Sequence, residues 1–448
     1  MAVAGRDGTA GAPAEAAEAA GGPGAGAGGS GRSAQGGDLV SQQVPADCFN
    51  FAVGQPGPAL LARAEAALAA AAAAHSASSP AEERRAVLQY APRAGAGRFR
   101  ESLAKFLQSH RDYGGGVAAA DLVATSGNSH GLALCCGTLA DPARDLVLVE
   151  QPTYFLAEGV FRTAGLQTAG APMRDGLLDL ERLPAFAEQL ERDTGKRVGF
   201  LYVVPTHSNP LGRTLPAEMR RQLVRLAEER GWTILSDDVY QLLTFPAGTP
   251  PPEPLASFSA SVVSLGSFSK IFAPGLRLGW IHCRDEATVA KLKGCGTLTS
   301  GGSTNPYVAN LVHRVMATGA MADLLSTVRG MLQERAAALY AAVEEHLPEV
   351  RFHRPEGGYF VWLDLAAVNP RLDTEHLLVQ AARWRLGFTP GRLCGGAATA
   401  LRVSFAFYDP GEYGEGIALL AEAVREYREE TGPAGEAGRA AALDVVGD

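Results

Sequence analysis

Short runs of β-branched and aliphatic residues recur through the middle of the chain, each followed by polar or small residues. Leu122–Ala124, Leu146–Val149, Phe200–Val204, Thr233–Leu235, Ser261–Leu265 and Leu278–His282 have the length and composition of buried strands. Longer segments with helical spacing lie between several of them. In Pro216–Arg230 the apolar positions Met219, Leu223, Leu226 and Ala227 share one predicted helix face. Alternation of this kind predicts an α/β architecture, a mostly parallel sheet with helices on both faces. Ligands of such sheets bind beyond the carboxyl ends of the strands, so functional residues are expected just after the apolar runs.

The C-terminal third has a different pattern. Pro355–Leu363 reads as a turn entering a strand, Leu401–Phe407 as a second strand, and the segment from about Pro410 to Glu429 as a closing helix. At 448 residues the chain is long enough for two domains. Residues 1–38 are dominated by Ala and Gly, lack large apolar side chains, and are expected to be a disordered tail. Residues 431–448 are expected to be a second flexible tail. The Ala-rich run Leu60–His75 carries Arg63 and Glu65, which favours a soluble helix over a membrane span.

A formal charge of -8 argues against a nucleic-acid-binding surface. The six cysteines (Cys48, Cys135, Cys136, Cys283, Cys295, Cys394) include no C-x-x-C pair and no histidine at zinc spacing. Reduced thiols and a cytoplasmic setting are expected, with no metal site. The vicinal pair Cys135–Cys136 reads as core filling.

Chemistry concentrates where the strands end. Ser267-Phe-Ser-Lys270 follows one apolar run, and Arg277 lies seven residues beyond the lysine. A lysine amine there can form a Schiff base with a carbonyl, and hydroxyls with an arginine suit a phosphate. The same Ser-x-x-Lys letters open a serine acyl-transfer site, but that chemistry also needs Ser-Asp-Asn and Lys-Thr-Gly downstream, and neither follows. Ser126-Gly-Asn128-Ser129-His130 follows another run and opens a helix, a pattern equally suited to an anion site or a plain cap. Tyr154, Asn209-Pro210 and Asp237-Asp238-Val-Tyr240 complete the set of strand ends. A carboxylate such as Asp237 can keep a pyridine nitrogen protonated. Taken singly, Arg402 fits an edge-strand ion pair as well as a carboxylate clamp.

In order, these segments resemble the class I/II aminotransferases, pyridoxal-phosphate enzymes of fold type I, from about Phe49 to Tyr427. The match is strongest over Gly266–Trp280, with Gln89-Tyr90, Asn209-Pro210, Asp237 with Tyr240, and Arg402 in support. The double acid before the tyrosine resembles the aminoadipate, valine–pyruvate and kynurenine-type branch.

The resemblance implies a role for each residue. Lys270 would carry pyridoxal 5′-phosphate as a Schiff base, Asp237 would pair with the ring nitrogen, and Tyr240 and Asn209 would bind the ring oxygen. Tyr154 would stack on the ring. Asn128, Ser129, Ser267, Ser269 and Arg277 would surround the phosphate, with Tyr90 supplied by a second subunit of a homodimer. Arg402 and the backbone of Gly54 would take the substrate α-carboxylate. It also implies an N-terminal arm over 39–85, a large cofactor domain over 86–308 and a small α+β domain over 309–430.

The expected reaction is a ping-pong exchange between an amino acid and a 2-oxo acid. A β-lyase or synthase would use the same residues, and an aminotransferase-like regulatory domain is a more distant alternative. Departures from the family pattern at Ser208, Leu211, Val53-Gly54-Gln55 and His130 bear on the substrate side chain.

Overall fold

A computed structural model of the protein describes residues 48–110, 113 and 116–431. The expected tail over 1–38 lies outside the described residues, as does that over 431–448 apart from Thr431, which ends the last helix. The apolar runs form one seven-stranded sheet. Its strands are β1 (Leu122–Thr125), β2 (Asp145–Val149), β3 (Gln167–Gly170), β4 (Arg197–Val203), β5 (Thr233–Asp237), β6 (Val263–Ser267) and β7 (Gly279–His282). Their spatial order is β1-β7-β6-β5-β4-β2-β3. All neighbours pair in parallel except β7, which runs antiparallel to both β6 and β1. The link Phe268–Leu278 is too short to carry the chain back across the sheet for a parallel return. Reversal of β7 therefore brings its start, just after Arg277, to the edge where the parallel strands end.

Both sheet faces are packed, which explains why the central strands read as unbroken apolar runs. On one side α1 (Asn128–Leu139) contributes Leu132, Cys135 and Cys136 to the main core, with both thiols buried as core filling. On another, α2 (Ala217–Arg230) packs with Leu146, Leu148, Leu201 and Ile234 in a second cluster. The buried face of α2 differs from the expected one. Leu223 and Ala227 are inside, but Arg220 and Val224 join them, while Met219 and Leu226 are half-buried. Met219 and Leu226 still pack against the same cluster, and Arg220 is drawn in because its guanidinium and Nε donate to the carbonyls of Leu215, Pro252, Glu253 and Pro205 and to Thr206 Oγ1. A buried cation is tolerated here because its donors are taken up by fixed carbonyl dipoles.

The predicted C-terminal strands pair in a separate three-stranded sheet of β8 (Phe360–Asp364), β9 (Thr389–Pro390) and β10 (Ala400–Ser404). The last is shorter than the predicted Leu401–Phe407. The closing helix begins with a turn of 3-10 helix at Pro410–Glu412 and continues as Tyr413–Thr431. The Ala-rich run lies within the helix Pro58–Ser78, whose buried His75 hydrogen-bonds with Asn310. Among the described residues no helix is long and apolar enough to cross a membrane.

Candidate active site

The carboxyl ends of β1, β2, β4, β5 and β6 meet the start of β7 and one residue of β10, and the polar groups converge there. Asp237, the last residue of β5, is 3% exposed. Its Oδ2 accepts from Tyr202 Oη at 2.7 Å and from Asn128 Nδ2 at 2.9 Å, whereas its Oδ1 has no partner. Burial pushes the carboxyl up to about 6; the Tyr202 hydroxyl, the Val239 amide, Asn128 and the Lys270 charge hold it below where burial alone would take it.

Lys270 follows β6 after a turn. Its backbone carbonyl accepts from Tyr359 Oη at 2.7 Å, and its amine lies 5.4 Å from the centre of the Tyr359 ring and donates to the Gly54 carbonyl. Loss of water around the amine, with the Arg402 charge next in weight, pushes Lys270 down to about 8; Asp237 opposes this and Arg277 adds to it.

Arg402, in the middle of β10, is buried. Its Nη1 donates to Asn209 Oδ1 at 2.8 Å, and its Nη2 donates to the Ala52 carbonyl and Thr389 Oγ1, each at 2.9 Å. Its Nε has no acceptor, and the guanidinium lies 4.1 Å from the centre of the Phe360 ring. No carboxylate pairs with it among the described residues, which rules out the edge-strand ion pair left open by the sequence.

A third group forms an open cup. Gly127 turns the chain into α1 at φ 88°, and the start of that helix has no side-chain cap. Arg277 reaches over it, donating to Ser269 Oγ at 3.4 Å and to the Ser126 carbonyl at 3.4 Å. Ser267 Oγ bonds Ser269 Oγ at 2.9 Å and accepts the Ser269 amide at 3.0 Å. A Cβ on Gly127 would lie 2.3 Å from Arg277 Nη2, so only glycine leaves this approach open. A helix start with no side-chain cap, two hydroxyls and a guanidinium are an arrangement suited to a phosphate.

Tyr154 and Tyr240 border the same space. Burial, with the charge of Asp237 next, pushes the Tyr154 phenol up to about 12. The buried Tyr240 ring packs against Tyr359 and Phe360 at 5.7 and 6.1 Å. Ser129 is exposed on the first turn of α1. Tyr90 stands apart from the cluster: it is 84% exposed and lies beside Gly301.

The arrangement fits pyridoxal phosphate on its own terms. It offers an amine with a depressed pKa, a buried carboxylate with one open oxygen, a cup suited to an anion and a buried arginine that no protein carboxylate neutralises among the described residues. Residues 46–420 match the family described as aminotransferase class I and II. The chain is a member of that family. It is 32% identical over 387 residues to the 2-aminoadipate transaminase of Thermus thermophilus, spanning 84% of this chain and 90% of that one. Aromatic-amino-acid aminotransferase 1 of Thermococcus litoralis is 28% identical over 76% of this chain and 80% of its own. The crystal structure of the kynurenine aminotransferase of Pyrococcus horikoshii superposes with a TM-score of 0.76 at 28% identity, covering 87% of this chain and 92% of that one. This aminotransferase has the fold type I architecture, depends on pyridoxal phosphate and moves an amino group between amino acids and 2-oxo acids.

Several groups at the site were not singled out in the sequence. Tyr202 sits inside a buried strand, where a phenol hydroxyl requires a partner, and that requirement was the available signal. Glu150 follows β2, accepts the Val204 amide at 2.8 Å, and burial pushes it up to about 8. Thr389 and Tyr359 had no local signal, since only the packing of the small sheet brings them in.

Proposed function

We propose that this aminotransferase works through the residues gathered at the strand ends, with Lys270 as the covalent anchor and proton carrier. The observation that carries this reading is the buried Asp237 with its one unpartnered oxygen, set across the site from an amine held near pH 8. Bound pyridoxal phosphate supplies an aldehyde for the amino group and a ring that draws electrons from the substrate Cα. Lys270 Nζ would hold the cofactor at rest and, once released, take up and return the substrate Cα proton. Its low pKa supports this, because only the neutral amine can attack a carbonyl or accept a proton.

Asp237 Oδ1 would accept the ring N–H, Tyr240 and Asn209 would bind the ring oxygen, and Tyr154 would pack on the ring. Ser267, Ser269, Arg277, Ser129 and the backbone amides at Asn128 would hold the phosphate. Arg402 would take the substrate carboxylate beside Gly54, its side chain already fixed by Asn209, Ala52 and Thr389. The finer reading of the partners is a homodimer in which Tyr90 of one subunit completes the other's site. Exposure of Tyr90 and of Leu88 at 74% supports it. Relatives named for 2-aminoadipate, aromatic amino acids and kynurenine support substrates with long or aromatic side chains. Free cysteines at all six positions suit the reducing cytoplasm.

Lys270→Ala tests the assignment. The variant should bind the cofactor without the covalent link, so that borohydride attaches none to the protein. Covalent attachment surviving at another lysine would remove Lys270 from the role.

A further inference from the structure

The two side-chain donors on Asp237 come from different parts of the fold. Tyr202 projects from β4, the strand next to β5, and its hydroxyl reaches Oδ2 at 2.7 Å. Asn128 begins α1, beside the anion cup, yet its side chain turns away from the cup and its Nδ2 reaches the same Oδ2 at 2.9 Å. A carboxylate only accepts, so the amide nitrogen must be the atom facing it. Asn128 Oδ1 is left without a donor. Both bonds therefore fall on one oxygen, and the other stays open.

We propose that Asn128 and Tyr202 are positioning residues that keep the proton shared by Asp237 and the cofactor ring on the ring nitrogen. This rests on the assignment of Asp237 to that nitrogen. A pyridine nitrogen and a buried carboxyl are close competitors for one proton, because burial favours the neutral pair over the charged one. Donated hydrogen bonds stabilise the carboxylate selectively, since the neutral acid is a poorer acceptor. Two donors on Oδ2 tilt the competition towards carboxylate and protonated ring, the form that draws electrons from Cα.

The surroundings fit this division. Two buried acids share a field with Asp237: Glu150 accepts the Val204 amide and burial pushes it up to about 8, while Asp238 accepts from Ser236 and Ser264 and its charge is met by Arg220. Burial pushes the phenols of Tyr154 and Tyr240 up, so both stay neutral, and the Lys270 charge favours the Asp237 carboxylate. Asn128 would thus serve the ring acid with its side chain while its backbone amide remains available to the phosphate.

The test uses holoenzyme carrying cofactor labelled with 15N in the ring. The wild type should show a protonated ring nitrogen, and Asp237→Asn an unprotonated one. Tyr202→Phe and Asn128→Ala should each move the nitrogen signal part of the way towards the unprotonated position, and the double variant further. Each single change should lower kcat roughly tenfold, the scale of one charge-assisted hydrogen bond, with KM for the amino acid unchanged. Preference for pyridoxal phosphate over pyridoxal should be the same in Asn128→Ala as in the wild type. The inference is overturned if either single variant leaves the nitrogen signal in place. It is equally overturned if Asn128→Ala loses the preference for the phosphorylated form, which would return that side chain to the phosphate cup. A protonated nitrogen in Asp237→Asn would instead defeat the underlying assignment of Asp237.

Discussion

The amine of Lys270 should titrate near pH 8 in the cofactor-free protein, and replacing either of two neighbouring charges should move that midpoint in opposite directions. The ordinary lysine value is 10.5, and loss of hydration with the field of Arg402 brings this one to about 8. At pH 8 about half of the Lys270 amines are then neutral, against roughly 0.3% for an unperturbed lysine, a gain of roughly 150-fold in reactive form. Arg402→Met removes the cation that opposes protonation. The midpoint should rise above 8 but stop short of 10.5, because burial is the larger cause and remains. Asp237→Asn removes the anion that favours protonation, and the midpoint should fall below 8. The assay is the pH dependence of the rate at which cofactor-free protein reacts with pyridoxal phosphate, followed by absorbance and corrected with Lys270→Ala. Midpoints that move the same way in both variants, or a wild-type midpoint near 10.5, would refute the electrostatic account.

Three further outcomes follow from the same geometry. Arg402→Lys keeps the charge but cannot reproduce the fork to Asn209, Ala52 and Thr389; amino-acid turnover should lose about 1.5–3 kcal/mol of kcat/KM while cofactor affinity, measured by equilibrium dialysis, stays the same. Gly127→Ala would place a methyl 2.3 Å from Arg277 Nη2 at a positive φ; cofactor affinity should fall roughly tenfold or more, through the displaced charge-assisted contact. Arg220→Ala removes the donor to the carbonyls of Leu215, Pro205, Pro252 and Glu253 and to Thr206, although Pro205 keeps the Leu215 amide and Pro252 keeps Gln241; urea denaturation should show a loss of about 1–3 kcal/mol, the cost of leaving the buried Leu215 carbonyl without a donor.

What the sequence revealed follows from how buried parallel strands are built. Each central strand is apolar throughout, so the change to polar residues marks its ligand end, and Asn128, Asn209, Asp237 and Lys270 could be read from that boundary. Composition shows where a residue sits along the chain but not which way its side chain turns. Asn128 reads naturally as an anion ligand because it opens a helix; its bond to Asp237 depends on how α1 is set against β5, and no local pattern records that. Tyr202 and Arg220 were hidden for a related reason. A tyrosine in a strand or an arginine on a helix is ordinary, and only full burial makes its polar group need partners. The inward turn of Arg220 widens the buried face, with Met219 and Leu226 packed at its margins. The site residues Thr389 and Tyr359 come from the small sheet, more than a hundred residues from Asp237, so local pattern could not reach them.

The most direct test of the central claim is the first half-reaction. Purified holoenzyme mixed with single amino acids, among them 2-aminoadipate, kynurenine and the aromatic amino acids, should change absorbance from the pyridoxal to the pyridoxamine form. One equivalent of the matching 2-oxo acid should be released per site and no ammonia, and added 2-oxo acid should reverse the change. Release of ammonia and a shortened keto acid would show a lyase instead, and no spectral change with any amino acid would contradict the account.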